Sequence, residues 1–181
     1  EGTLHTMSEG LLTTGVTSFL PTTLTSSYKQ LLAVTENIGV RYREASGAKI
    51  RGLYFEGPYF TEKYKGAQNP AYMKDPRMDE FRAWQKAANG LLNKIALAPE
   101  REGVEEFVRT ITDEGVTVAL GHSNATYDEA KAAVEAGASV WVHAYNGMRG
   151  LTHRELGMVG AMYELPHTYA ELICDGHHVD P

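Results

Sequence analysis

The sequence predicts an α/β fold of the (β/α)8, TIM-type barrel class, on three observations. Apolar runs of strand length alternate with amphipathic helical segments along the chain. The runs are apolar throughout, as in LYF and VTVAL, which marks strands buried on both faces of a parallel sheet. Metal-ligating residue types stand directly after three of them: Glu56 after IRGLYF, His122 after VTVALG and His143 after SVWV. Chemistry-bearing residues at the ends of several strands, with no single glycine-rich phosphate turn, favour a barrel over a doubly wound sheet. Six strands are expected where about eight close such a barrel, so the chain reads as a partial barrel or an open variant.

In order, Leu4 to Leu12 reads as a helix ending near Gly15, and Val16 to Leu20 as a buried strand stopped by Pro21. Ser26 or Ser27 caps a helix from Tyr28 to Glu44, with Leu31, Leu32, Val34, Thr35 and Ile38 as its apolar stripe. Ile50 to Phe55 is the next strand. Gly57 to Lys74 is a long loop, a length more often functional than idle. Asp75-Pro76 is expected to start a helix running to Asn89, with Gly90 as the left-handed cap. Lys94 to Leu97 is a strand, Gly103 to Glu114 a helix and Val116 to Leu120 a strand. Thr126 and Glu129 form a capping box for a helix that stops at Gly137. Ser139 to Val142 is a strand, Asn146 to Met162 an irregular glycine-rich segment, and Tyr169 to Cys174 the last strand.

The bulk numbers bound the function. The 181 residues suffice for one domain with a real core. A net charge of −6 argues against a general nucleic-acid or anionic-membrane surface. The single cysteine, Cys174, excludes an intrachain disulfide and fits a reducing, cytoplasmic setting. No apolar run has membrane-spanning length, and no signal peptide is visible. Because the sequence starts at Glu1 rather than methionine, it is expected to be a fragment or a processed product of a longer protein.

Glu56, His122 and His143 are the candidate metal ligands. Three His or carboxylate ligands with an open position suit a catalytic divalent ion that activates water. Asn124 and Thr126 are read first as a turn and a helix cap. Asn146, Arg149, His153 and Arg154 share one loop, where arginines and glycine-rich backbone suit a phosphate or carboxylate. One of His177 and His178 is expected to face the site; the residues alone do not choose. Lys65 and Gln68 are candidates for a polar lid.

Five stretches together resemble the N-acetylglucosamine-6-phosphate deacetylase family of the amidohydrolase superfamily: LYFEGPY with KGAQNP, LAPE, GHSNAT, HAYNGM with HRELGMVGA, and CDGHHVD. They follow the family's order and span nearly the whole chain. The resemblance implies that Glu56, His122 and His143 hold one divalent ion per subunit, with zinc first and iron, manganese or cobalt also suited. It implies substrate-binding roles for Asn146, Gly147, Arg154 and His178, a phosphorylated amino-sugar substrate, and a homodimer. Gln68 stands where the family often has a histidine that polarises the acetamide carbonyl, and an uncharged amide stabilises an oxyanion less. The family's catalytic aspartate is expected beyond Pro181, together with the last barrel strand; the first strand and a small β-domain are also expected outside the chain. No catalytic residue proper is therefore assigned within it. Two rival readings are a galactosamine-specific or other amidohydrolase and a non-catalytic sugar-phosphate-binding barrel; a metal-free barrel isomerase is a third.

Overall fold

The first half of the chain folds by local signals that are easily read. Helix α1 (Thr3–Thr13) leads to two short strands, β1 (Ser18–Phe19) and β2 (Thr22–Thr23), separated by Pro21. Ser27 caps α2 (Tyr28–Arg41) in a capping box with Gln30. Strands β3 (Lys49–Ile50) and β4 (Leu53–Glu56) follow, then the long loop with two short 3-10 turns. Helix α3 (Met78–Ala87), β5 (Leu92–Leu97), α4 (Val104–Asp113), β6 (Thr117–Leu120), α5 (Tyr127–Glu135), β7 (Val140–Trp141), α6 (Gly157–Glu164) and β8 (Tyr169–Ala170) complete this computed structural model, which describes residues 2–181.

Six strands form one sheet in the order β2-β4-β5-β6-β7-β8, and every pairing is parallel. Strands β1 and β3 form a separate parallel pair. This is the expected partial barrel: six parallel strands, with β2 and β8 at the edges.

The sheet's two faces do different work. Leu53, Phe55, Ile95, Leu97, Val118, Leu120 and Trp141 point into the large apolar layer beneath the helices, where Trp84 and Phe81 of α3 and Phe107 and Ile111 of α4 are buried. The alternate residues Tyr54, Ala96, Ala119 and Val142 point to the opposite face and cluster with Phe60. Lys94 lies on that face too, over the Tyr54 ring at 4.3 Å and paired with Glu171.

Several expected elements come out differently. Val16 to Leu20 keeps a strand of only two residues, β1, which ends before Pro21 as expected, but the stretch is not buried. Val16 is exposed, and Pro21, which has no N–H to donate, divides β1 from β2. Val34 is exposed and leaves the α2 stripe to Leu31, Thr35 and Ile38, with Leu32 partly buried against the same core. Asp75 does not cap α3. The helix starts after Arg77, and Asp75 is drawn off to Arg101 at 2.8 Å and to the Glu102 backbone N–H at 3.3 Å. The glycine-rich segment contains a helix, α6, whose Gly157, Met158, Val159, Gly160 and Ala161 are all buried. Its glycines mark close packing: a Cβ on Gly157 would meet the Gly150 carbonyl oxygen at 2.6 Å. The last strand is only two residues long and exposed, since it forms a sheet edge.

Candidate metal centre

By strand alternation Glu56 belongs with Tyr54 on the inner face, but the two histidines do not. His122 has the parity of Val118 and Leu120, and His143 that of Trp141, all of which face the helices. A continued strand would bury both imidazoles away from Glu56. The chain instead turns left-handed at each, with φ of 46° at His122 and 33° at His143. Such values are rare outside glycine and store strain that neighbouring contacts must hold.

Those contacts are visible. Glu100, just after β5, accepts the Ser123 hydroxyl at 2.6 Å and the Asn124 backbone N–H at 2.7 Å, pinning the turn after His122. Ser123 N–H donates to the Gly147 carbonyl at 3.0 Å, which ties that turn to the one after His143. Gly147, at φ 59°, packs against His122: a Cβ there would come within 3.2 Å of Nδ1.

Each imidazole places Nδ1 on a backbone carbonyl, His122 on Tyr64 at 2.9 Å and His143 on Asn146 at 3.0 Å. A carbonyl only accepts, so both Nδ1 atoms carry the proton and neutral rings present a bare Nε2. Both Nε2 atoms point at the same place. They lie 3.0 Å apart, and 3.0 Å (His122) and 3.5 Å (His143) from Glu56 Oε1. The ligand atoms of the three residues all fall within 4.8 Å of one another. Three lone-pair donors converging on one point repel each other unless a cation or protons sit among them. Two imidazoles and a carboxylate, each imidazole oriented from behind by a carbonyl, suit a divalent ion. The Phe60 ring, 4.5 Å from that of His122, closes one side.

The electrostatics agree. Burial pushes the Glu56 carboxyl up, but hydrogen bonds and charge from His122 and His143 together outweigh it and bring it down to about 2. Burial pushes the His143 imidazole down, and the Glu56 hydrogen bond and charge outweigh that and raise it.

The other expected site residues divide. Asn146 and Gly147 lie at the triad through their backbones, and the Asn146 amide also reaches the His178 carbonyl at 3.3 Å. Gln68 is no exposed lid: it is 3% exposed and its amide contacts Glu56. His178 is exposed and turned to Asp175, Nδ1 to Oδ2 at 2.7 Å. Backbone N–H groups of His178 and His177, with the His178 ring, bring the Asp175 carboxyl down to about 2. Arg149 is taken by Glu155 and the Asn124 carbonyl. Arg154 stands in a separate depression of about 230 Å3 beside Thr126 and Asp128, not against the triad. Sequence reasoning missed the roles of Glu100, Tyr64 and Phe60. Only Glu100 carried a signal, a carboxylate closely following an apolar strand, as Glu56 does.

No protein-family profile matches the chain. N-acetylglucosamine-6-phosphate deacetylase of Vibrio furnissii is 44% identical over 179 residues, covering 98% of this chain and 45% of that protein. The chain is homologous to the N-acetylglucosamine-6-phosphate deacetylases. It spans about half the length of the curated relatives it matches. N-acetylgalactosamine-6-phosphate deacetylase of Escherichia coli O157:H7 is also 44% identical, over 168 residues, covering 92% of this chain and 45% of that protein. The crystal structure of the Pasteurella multocida N-acetylglucosamine-6-phosphate deacetylase superposes with a TM-score of 0.89 at 34% identity, over 98% of this chain and 46% of that one. A Mycobacterium smegmatis homologue in complex with N-acetyl-D-glucosamine-6-phosphate has a TM-score of 0.86 at 34% identity, over 91% of this chain and 42% of that one. Among the described residues, no helix is long and apolar enough to cross a membrane.

Proposed function

We propose that the protein carrying this chain hydrolyses N-acetyl-D-glucosamine 6-phosphate to D-glucosamine 6-phosphate and acetate. The observation that carries the reading is the meeting of His122 Nε2, His143 Nε2 and Glu56 Oε1 at one point with both Nδ1 atoms held on carbonyls. A divalent ion held by these three would polarise the amide carbonyl and supply hydroxide near neutral pH by lowering the pKa of water to about 7. Glu56 contributes the negative charge and the two imidazoles stay neutral, so the set leaves an ion net positive charge for that task. Tyr64 and Asn146 carbonyls keep each ring in the ligating tautomer, and Phe60 keeps water from one side. Zinc is the favoured ion, with iron, manganese and cobalt suited to the same donors.

Asn146, Gly147, Arg154 and His178 are assigned to the sugar phosphate, and the protein is assigned a homodimeric state. The aspartate that moves the proton between water and leaving amine is assigned, with the last barrel strand, to sequence after Pro181, and the first strand and the small β-domain are assigned to sequence outside this chain. On this reading the protein is a cytoplasmic amino-sugar hydrolase.

The test is metal content and acetate release. The wild-type protein is expected to carry about one divalent ion per chain and to release acetate from the glucosamine substrate. His122→Ala with His143→Ala is expected to do neither. A metal-free wild type that binds the sugar phosphate without turnover would leave the binding-barrel reading standing. A glucosamine and a galactosamine enzyme each match at 44% identity, so turnover of the two sugar phosphates is compared side by side.

A further inference from the structure

We infer that Gln68 is a positioning residue for the metal centre, locking the Glu56 carboxylate in place. The inference rests on the metal-centre reading above. Gln68 is 3% exposed, and both ends of its amide are engaged. Its Oε1 accepts the Thr25 backbone N–H at 2.7 Å, and its Nε2 donates to Glu56 Oε1 at 3.1 Å. The amide's orientation is forced: a backbone N–H only donates, so the carbonyl end must face Thr25 and the NH2 must face the carboxylate.

The geometry joins neighbouring strand ends. Thr25 lies two residues past β2, Glu56 ends β4, and these strands are paired in the sheet. Gln68 comes from the long loop, where its own N–H closes a turn on the Lys65 carbonyl at 2.9 Å. The loop therefore reaches the site through a buried amide that spans the β2–β4 pair.

Charge explains why an amide serves. A protonated histidine, lysine or arginine in this place would hold the carboxylate but also cancel the negative charge a metal needs. A neutral N–H donor restrains one oxygen and leaves the charge in place. The Thr25 and Glu56 bonds together fix the amide, so Gln68 presents one Nε2–H to Glu56 Oε1 in a set direction.

The experiment compares wild type with Gln68→Met and Gln68→Leu. Methionine keeps the length, leucine is a second apolar replacement, and each loses both hydrogen bonds. Zn2+ affinity is measured by competition with a chromophoric chelator, and the visible bands of the Co2+ form report ligand geometry. Circular dichroism of the metal-free forms reports folding. Affinity is expected to fall about tenfold to hundredfold in both variants, with shifted Co2+ bands and an unchanged metal-free spectrum. Zn2+ affinity within about twofold of wild type in either folded variant overturns the role while leaving the metal centre intact. Wild type that takes neither Zn2+ nor Co2+ overturns the metal centre itself and this role with it. Loss of fold in both variants also overturns it, since Gln68 would then serve the fold rather than the centre.

Discussion

Without metal, the Glu56–imidazole cluster should make stability peak in mildly acidic solution, and Glu56→Gln should remove the peak. The Glu56 carboxyl is held at about 2, below its ordinary 4.5, so its contribution is complete above 4.5 and is lost as pH falls toward 2. His143 is raised above 6.5, so its contribution is complete below 6.5 and is lost as pH rises through that raised value. Both describe one interaction, which is strongest between 4.5 and 6.5. The fall from 4.5 to about 2 corresponds to about 3 kcal/mol at about 1.4 kcal/mol per pH unit. Screening of a side chain 20% exposed reduces that to about 2 kcal/mol. The assay is urea unfolding followed by circular dichroism, with chelator present, at a series of pH values. Between about pH 5 and about pH 2.5, wild type should lose about 2 kcal/mol more than Glu56→Gln, which has the same shape but no titrating carboxyl. Parallel profiles for the two proteins would show that Glu56 and the imidazoles do not interact as the structure has them.

Zn2+ affinity should weaken with acidity, because the proton raised on His143 by Glu56 competes for the same Nε2; chelator competition should show about tenfold loss per pH unit below that raised value, and a pH-independent affinity would contradict the ligand assignment. Trp84 is fully buried against Phe55, with ring centroids 5.2 Å apart, so Trp84→Ala should cost about 3–5 kcal/mol in a urea melt; less than about 1 kcal/mol would mean the helix layer is not packed as described. Thr126→Ala breaks the α5 capping box and should cost about 1 kcal/mol, measured the same way, with no loss expected if Thr126 is only a surface residue. Lys94→Met keeps the stem packed over Tyr54 and gives up the pair with half-exposed Glu171; a change within about 1 kcal/mol is expected, and a loss above about 3 kcal/mol would show that the pair dominates this face.

Much of the fold follows from patterns a few residues long. The apolar runs of β4, β5 and β6 fill both faces of a parallel sheet, and all three are almost wholly buried. Ser27 and Thr126 cap α2 and α5 because the reciprocal partner lies three residues on in each case. Where a residue had a distant competitor, local reading failed. Asp75 is an ordinary helix cap by sequence, yet Arg101 claims its carboxylate. Gly157 and Gly160 look like helix breakers, but α6 is buried closely enough for small residues to be required.

The site shows the same division. The residue types and their places after Phe55, Gly121 and Val142 determined that Glu56, His122 and His143 were the ligands to examine, because each ends an apolar run whose neighbours in the sheet are parallel. Tertiary structure decided that they meet. Both histidines have the wrong strand parity for the inner face, and only left-handed turns at φ 46° and 33°, held by Glu100, Tyr64, Asn146 and Gly147, bring Nε2 of each to Glu56. Those holding contacts come mainly from backbone groups and from residues far away in sequence. A side-chain pattern cannot encode them, since a carbonyl is the same acceptor whatever residue carries it.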